Sequence, residues 1–211
     1  MHFSKMAPLH HGKLGLVMIH NPNKPTRQEK LAYLDRALVY VKRWNTAVDA
    51  GAHIGLWTQV MADKFARVLA LEPMPDNCET WRENMRGREN AVLYQEALGD
   101  VCGTVRMDGT GHSKHFAVID NQGTVPMVTI DSLNLEALDF LKVDCEGADY
   151  LVLKGGEKTI KKFRPVVIVE SKAKFEARYG LKPYAPVSFM KELGAKNVES
   201  HWHDHIFSFD A

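Results

Sequence analysis

The stretch Asn45-Thr-Ala-Val-Asp-Ala-Gly-Ala-His-Ile-Gly55 decides how this chain is read. Ala47-Val48 ends a short apolar strand, and Leu56-Trp57-Thr58-Gln59-Val60-Met61-Ala62 opens a run with helical spacing. Between them, Gly51 lets the backbone turn tightly without a Cβ penalty, and Gly55 lets the new helix pack close to the strand. A strand, a glycine-rich turn and a helix in this order present backbone N–H groups and a helix N-terminus to an anionic ligand group. The spacing departs from the dinucleotide fingerprint G-x-G-x-x-G, because the two glycines are four apart and Asp49 stands two positions before the first. A carboxylate there repels a pyrophosphate but suits a ligand whose nearby group is cationic. S-adenosylmethionine, with a sulfonium, an amino acid and an adenosine but no phosphate, meets that requirement.

Strands and helices alternate on both sides of this turn. Thr26 and Glu29 form a capping box for a helix expected to run to about Trp44, with Leu31, Leu34, Leu38 and Val41 on one face. Downstream, Val68–Leu71, Ala91–Tyr94, Leu138–Val143 and Val166–Val169 read as buried strands separated by helical segments. Residues 104 to 129 change character, with short β-like pieces around glycine-containing loops, and read as a hairpin-like insertion at about 103–126. Asn197–His201 and Ile206–Phe209 read as a closing antiparallel pair. The expected fold is α/β: a three-layer, Rossmann-like, mostly parallel sheet with an antiparallel C-terminal strand. The 211 residues are read as one domain, with residues 1–44 as an N-terminal extension and helix, 45–170 as the cofactor-binding core, and 171–211 as C-terminal helices and the strand pair.

Composition narrows the function classes. Lys+Arg 27 against Asp+Glu 26 gives a net charge of +1, so no bulk field draws the chain to nucleic acid or to a membrane surface. Cys78, Cys102 and Cys145 are scattered, with no C-x-x-C pair, which favours a reducing compartment. No apolar run approaches membrane-spanning length, and a cytoplasmic protein is the plain expectation.

Five acids, Asp49, Glu72, Glu96, Asp144 and Glu170, fall at or just after the ends of expected strands, and so on one rim of a parallel sheet. Any one of them alone would be an ordinary polar loop residue; five together point to a site. Glu72 stands where a carboxylate accepts both ribose hydroxyls of an adenosine, in a nicotinamide site as well as in an S-adenosylmethionine site.

Val48-Asp-Ala-Gly-Ala-His-Ile-Gly55, Leu71-Glu-Pro-Met-Pro-Asp-Asn77, Glu96-Ala-Leu-Gly99, Thr129-Ile-Asp-Ser-Leu133, Lys142-Val-Asp-Cys-Glu-Gly-Ala-Asp149 and Val167-Ile-Val-Glu170 together resemble the FkbM family of methyltransferases in order and spacing. The likeness spans roughly residues 45 to 170, with a looser echo in Asp204–Phe209, and the Lys142–Gly155 block is its most specific part. His53 departs from it, since the family commonly has Asn there. The resemblance implies a class I methyltransferase fold and transfer of a methyl group from S-adenosylmethionine to a hydroxyl, often on a sugar or natural product. It further implies that Asp49, Gly51, Ala52, His53, Ile54 and Gly55 hold the methionine part of the cofactor. Glu72 would take the ribose, and Pro73, Met74 and Gln95-Glu96-Ala97 would flank the adenine. Asp144 and Glu146 would lie beside the transferring methyl.

His112, in the Gly109–His115 loop, is a further candidate base near neutral pH. His201, His203 and His205 alternate and would share one strand face, but no ligand-type partner is evident, so no metal site is expected. The acceptor is expected to be a small molecule or glycan. A nicotinamide-dependent oxidoreductase and a non-catalytic cofactor-binding scaffold are the alternatives; the missing fingerprint argues against the first, and the retained acids against the second.

Overall fold

The computed structural model describes residues 26–107 and 118–210. The capping box at Thr26 is present, with Glu29 N–H donating to Thr26 Oγ1 and Thr26 N–H donating to Glu29 Oε2, and it starts α1 (Arg27–Leu38). Tyr33, Leu34, Ala37 and Leu38 line its buried face. The helix stops at Leu38, six residues short of the expected Trp44. Val39 and Tyr40 form a turn, and irregular chain follows it, with Val41 still buried.

The chain then alternates as expected through β1 (Thr46–Ala50), α2 (Leu56–Ala62), β2 (Arg67–Leu71), α3 (Pro75–Asn84) and β3 (Ala91–Tyr94). A small second sheet follows, built from β4 (Ala97–Leu98), β5 (Gly103–Met107) and β6 (Val118–Val128) in the order β4-β6-β5. The expected insertion is thus a hairpin, but its second arm is one long strand rather than two short pieces. It also recruits Ala97-Leu98 as a parallel neighbour. The core resumes with β7 (Phe140–Val143), α4 (Asp149–Lys154), α5 (Glu157–Phe163), β8 (Val166–Glu170), α6 (Ala173–Glu176) and α7 (Ala185–Glu192). It closes on the hairpin β9 (Lys196–His201) and β10 (Asp204–Ser208).

The main sheet runs β3-β2-β1-β7-β8-β10-β9, parallel except for the last two strands. Strand order reverses between β1 and β7, which opens a crevice at their carboxyl ends, the usual ligand position in such sheets. Period-2 alternation sends side chains to two cores. Val48, Ala50, Leu141, Val143, Val167 and Val169 pack against α4, α5 and α7 on one face. Ala47, Val68, Ala70, Phe140 and Ile168 pack against α1, α2 and α3 on the other. Three layers result.

The three C-terminal histidines do not share a strand face. Trp202 and His203 form the β9–β10 turn, Trp202 with φ of 56°, so His201 and His205 stand on opposite arms of a hairpin. His205 Nδ1 lies 2.8 Å from Ser200 Oγ, while His201 packs against the Tyr33 ring. Among the described residues no group of three or more His, Cys, Asp or Glu is arranged to hold a metal ion, and no helix is long and apolar enough to cross a membrane.

Candidate functional site

The β1–α2 turn is fixed from below. Gly51 has φ of 74°, and a Cβ on it would collide with the carbonyl oxygen of Asp144, so only glycine lets the turn approach the end of β7. Gly55 has φ of 86°, but its close neighbour is not the strand: a Cβ would stand 2.7 Å from Trp81 Cδ1, on α3. The turn's amides are also less available than the motif suggests. Gly51 and Ala52 donate to Leu71 O, Gly55 donates to Ala52 O, and His53 donates to Glu72 Oε2 at 2.9 Å. Asn84 Nδ2 donates to Ile54 O at 2.8 Å, which ties the turn to α3. It is a clamped scaffold, not an open nest of donors.

Asp49 lies beneath this turn with no solvent exposure. Thr58 Oγ1 donates to its Oδ2 at 2.7 Å, and Lys142 Nζ stands 3.2 Å from its Oδ1. β1 and β7 put Asp49 and Lys142 in register, both on the α2 face of the sheet. Lys142 Nζ also donates to Gly51 O at 2.6 Å and to Ala50 O at 3.3 Å, and sits over the Trp57 ring. Burial works against its charge, but Asp49 and Asp144 outweigh it, and the ammonium is held ionised.

Glu72 follows β2 directly and is 5% exposed. Its Oε1 accepts from Met74 N–H and Asn77 Nδ2, each at 3.0 Å, and its Oε2 accepts from His53 N–H. Burial pushes its carboxyl above the ordinary range, and these three donors pull it back. A carboxylate has about four lone-pair sites, so one remains for a ligand hydroxyl. Pro73 and His53 are half-buried beside it. Glu96 is half-buried two residues past β3, whereas Ala97 is buried in the small core with Val105 and Met127.

On the other side of the crevice, Asp144, Glu170 and Asp204 form a row. Val143 pairs with Val169 in the parallel β7–β8 ladder, which sets Asp144 beside Glu170, and Glu170 pairs with Asp204 across β8–β10. Like charges on adjacent rungs destabilise a sheet, and the row carries the mark of that repulsion. Burial acts against ionisation of Asp144, but Lys142, Lys30 and Lys172 hold its carboxyl below the usual range. Burial, and then the charge of Asp144, push Glu170 well above that range and Asp204 up to about 6. Lys172 Nζ meets Glu170 Oε1 at 2.6 Å, while Oε2 is buried with no hydrogen-bond partner among the described residues.

The Asp144–Ala148 loop is shaped by Asp149, whose Oδ1 accepts from Cys145 N–H at 2.8 Å and whose Oδ2 accepts from Gly147 N–H at 2.9 Å. Burial and Asp144 raise Asp149 to about 7. Glu146 has φ of 55° and Gly147 φ of 102°, so the chain reverses sharply, and a Cβ on Gly147 would stand 2.6 Å from the Phe175 backbone. Asp144 and Glu146 are half-buried at the rim. His112 lies outside the described residues.

The structure therefore brings Gly51, Ala52, His53, Ile54, Gly55 and Glu72 together on one side of the crevice and Asp144 and Glu146 on the other. Asp49 it places underneath. Lys142, Thr58 and Asp149 are organising residues that the reading of strand ends passed over. A lysine inside the apolar run Leu138–Val143 was the available signal, since a buried charge requires a partner.

Comparison with known proteins agrees with this fold. Among solved structures, the FkbM methyltransferase from Methylobacillus flagellatus KT is 17% identical, with a TM-score of 0.51 over 78% of this chain and 43% of its own. The N-methyltransferase NodS from Bradyrhizobium japonicum WM9, in complex with S-adenosyl-L-homocysteine, is 12% identical with a TM-score of 0.52, over 89% of this chain and 86% of its own. At these identities the two show the fold alone. A curated relative, Methyltransferase 1 of Beauveria bassiana (strain ARSEF 2860), is 29% identical over 141 residues; the match spans 51% of this chain and 57% of that protein. The sequence model of the methyltransferase FkbM domain matches residues 49–194, from the buried Asp49 to just past α7, and the chain belongs to the FkbM methyltransferase family.

Proposed function

We propose that the protein transfers a methyl group from S-adenosylmethionine to a hydroxyl oxygen of a sugar, glycan or small natural product. The observation that carries this reading is the in-register carboxylate row at the carboxyl ends of β7 and β8, beside the switch point, with Asp144 held ionised. The donor set fits the cofactor. The amides of Gly51, Ala52, His53 and Gly55 are spent internally and the rim offers carboxylates, which suits a sulfonium and disfavours the pyrophosphate of a nicotinamide cofactor. Bound there, S-adenosylmethionine supplies an electrophilic methyl on a cationic sulfur.

The chain's own residues have separable tasks. Glu72 offers its remaining lone pair to one ribose hydroxyl, and the clamped turn from Gly51 to Gly55 holds the amino-acid end. Pro73 and Glu96 flank the base. Asp144 orients an acceptor hydroxyl and takes its proton, with Glu146 as the neighbouring carboxylate. Alignment supplies most of the rate, since well-oriented reactants gain roughly 7–11 kcal/mol over the bimolecular reaction. Incubation with methyl-labelled S-adenosylmethionine and a panel of sugars, glycans and hydroxylated small molecules tests the reading. Label should appear in an alkali-stable ether product; label on nitrogen, or tight binding of NAD in its place, would reject it.

A further inference from the structure

We propose that Lys142 is the positioning residue for the cofactor turn, and that Asp49 acts on the cofactor only through it. The inference rests on the S-adenosylmethionine reading of the crevice and goes beyond it, since the motif itself points to Asp49. Asp49 has no solvent exposure, and its two oxygens face Thr58 and Lys142, so it has no path to a ligand above the turn. Lys142 connects the two levels. Its Nζ has three oxygens around it: Gly51 O at 2.6 Å, Asp49 Oδ1 at 3.2 Å and Ala50 O at 3.3 Å. Two of the ammonium's three protons go to the carbonyls, and Asp49 Oδ1 pairs with its charge without a hydrogen bond.

The direction of the turn follows. The N–H groups of Gly51 and Ala52 point to Leu71 O on β2, while the carbonyls of Ala50 and Gly51 point to Lys142 on β7. The first residues after β1 are thus stretched between its two neighbouring strands, across the switch point where the crevice opens. Without Lys142, Ala50 O keeps the Asp144 N–H but Gly51 O is released, so beyond Ala50 the turn is tethered on the β2 side alone and must be ordered on binding, at a cost in affinity. Asp49 serves as the counter-ion that keeps Lys142 in place under the turn.

The test separates positioning from structure with three variants, titrated with S-adenosylhomocysteine by calorimetry and melted by circular dichroism. Asp49→Asn keeps a side chain of the same shape for Thr58 but weakens the anchoring of Lys142 beneath the carbonyls; it should melt lower and bind about threefold more weakly than the parent. Lys142→Met in the Asp49→Asn background removes the tether without stranding a buried carboxylate, and should bind about tenfold to a hundredfold more weakly than Asp49→Asn alone, the effect of losing charge-assisted hydrogen bonds. Lys142→Arg keeps the charge and the fold, but a planar fork cannot converge on the same three oxygens; it should bind about tenfold more weakly. Equal affinity of the double variant and Asp49→Asn, or parental affinity of Lys142→Arg, overturns the proposal. Absence of binding by the parent protein rejects the cofactor reading instead, so the two failures are distinct.

Discussion

The two sides of the crevice handle charge in opposite ways. On the β1–β2 side, most polar groups are met by protein partners, and Asp49 Oδ1, which makes no hydrogen bond among the described residues, is paired in charge with Lys142. Glu72 accepts three hydrogen bonds, Asp49 faces Thr58 and Lys142, and the amides of Gly51, Ala52, His53 and Gly55 are all engaged. On the β7–β8–β10 side, three carboxyl groups stand on neighbouring rungs, two with raised affinity for protons, and Glu170 Oε2 is buried without a hydrogen bond among the described residues. The first side is a finished scaffold whose shape can receive the same cofactor at every turnover. The second stores electrostatic repulsion, which a fold tolerates where chemistry uses it. On the proposed reading, the cofactor's ribose and amino-acid end lie on the first side, and its sulfonium and the acceptor's proton face the second.

The comparison can be broken most severely at Gly51. Gly51→Ala forces a Cβ into the Asp144 carbonyl at a positive φ, and the collision plus the backbone strain should cost about 3 kcal/mol of stability and abolish S-adenosylhomocysteine binding. Urea denaturation and calorimetry would read both. A variant with parental stability would mean that the turn is loose, contrary to the picture of a clamped scaffold.

Glu72→Gln comes next. The amide presents donors to at least one of the His53, Met74 and Asn77 groups that now donate to it, so about 2 kcal/mol of stability should be lost, together with cofactor affinity. Unchanged affinity in a folded variant would place the ribose elsewhere.

Asp204 sharpens the other side. Its folded pKa, about 6, lies above the unfolded value, so its contribution to stability is complete below about pH 4 and is lost as the pH rises through about 6. Asp204→Asn should remove that slope and leave the protein about 1–2 kcal/mol more stable than the parent at pH 8. The test is a set of urea midpoints between pH 4 and pH 8. Parallel pH profiles for the two proteins would mean that the row carries no repulsion.

Much of this architecture was legible in the sequence, for identifiable reasons. Val68–Leu71, Ala91–Tyr94 and Val166–Val169 are short apolar runs between turn residues, and each lies within a strand of the sheet. The Thr26–Glu29 capping box announces the start of α1 because both reciprocal bonds are local. Its end was not legible: Val41 continues the helical period, and its burial after the turn comes from tertiary packing that a periodic pattern cannot distinguish from helix. The histidines of 201–205 were misplaced because Trp202, an unusual residue for a positive φ, gives no turn signal. At the site, residues at strand ends were easy to find and those beneath them were not. Lys142 and Asp49 meet only because β1 and β7, far apart in sequence, become neighbours at the switch point.

On the proposed reading, rim carboxylates, Asp144 first among them, provide the negative charge that meets a sulfonium. Titrating the parent protein and Asp144→Asn in parallel with S-adenosylmethionine and S-adenosylhomocysteine tests it most directly, because the two ligands differ by the methyl group and its positive charge. Asp144→Asn should lose about tenfold in affinity for S-adenosylmethionine and much less for S-adenosylhomocysteine, a differential of about 1.4 kcal/mol. Equal losses for both ligands, or no heat with either in the parent protein, would contradict it.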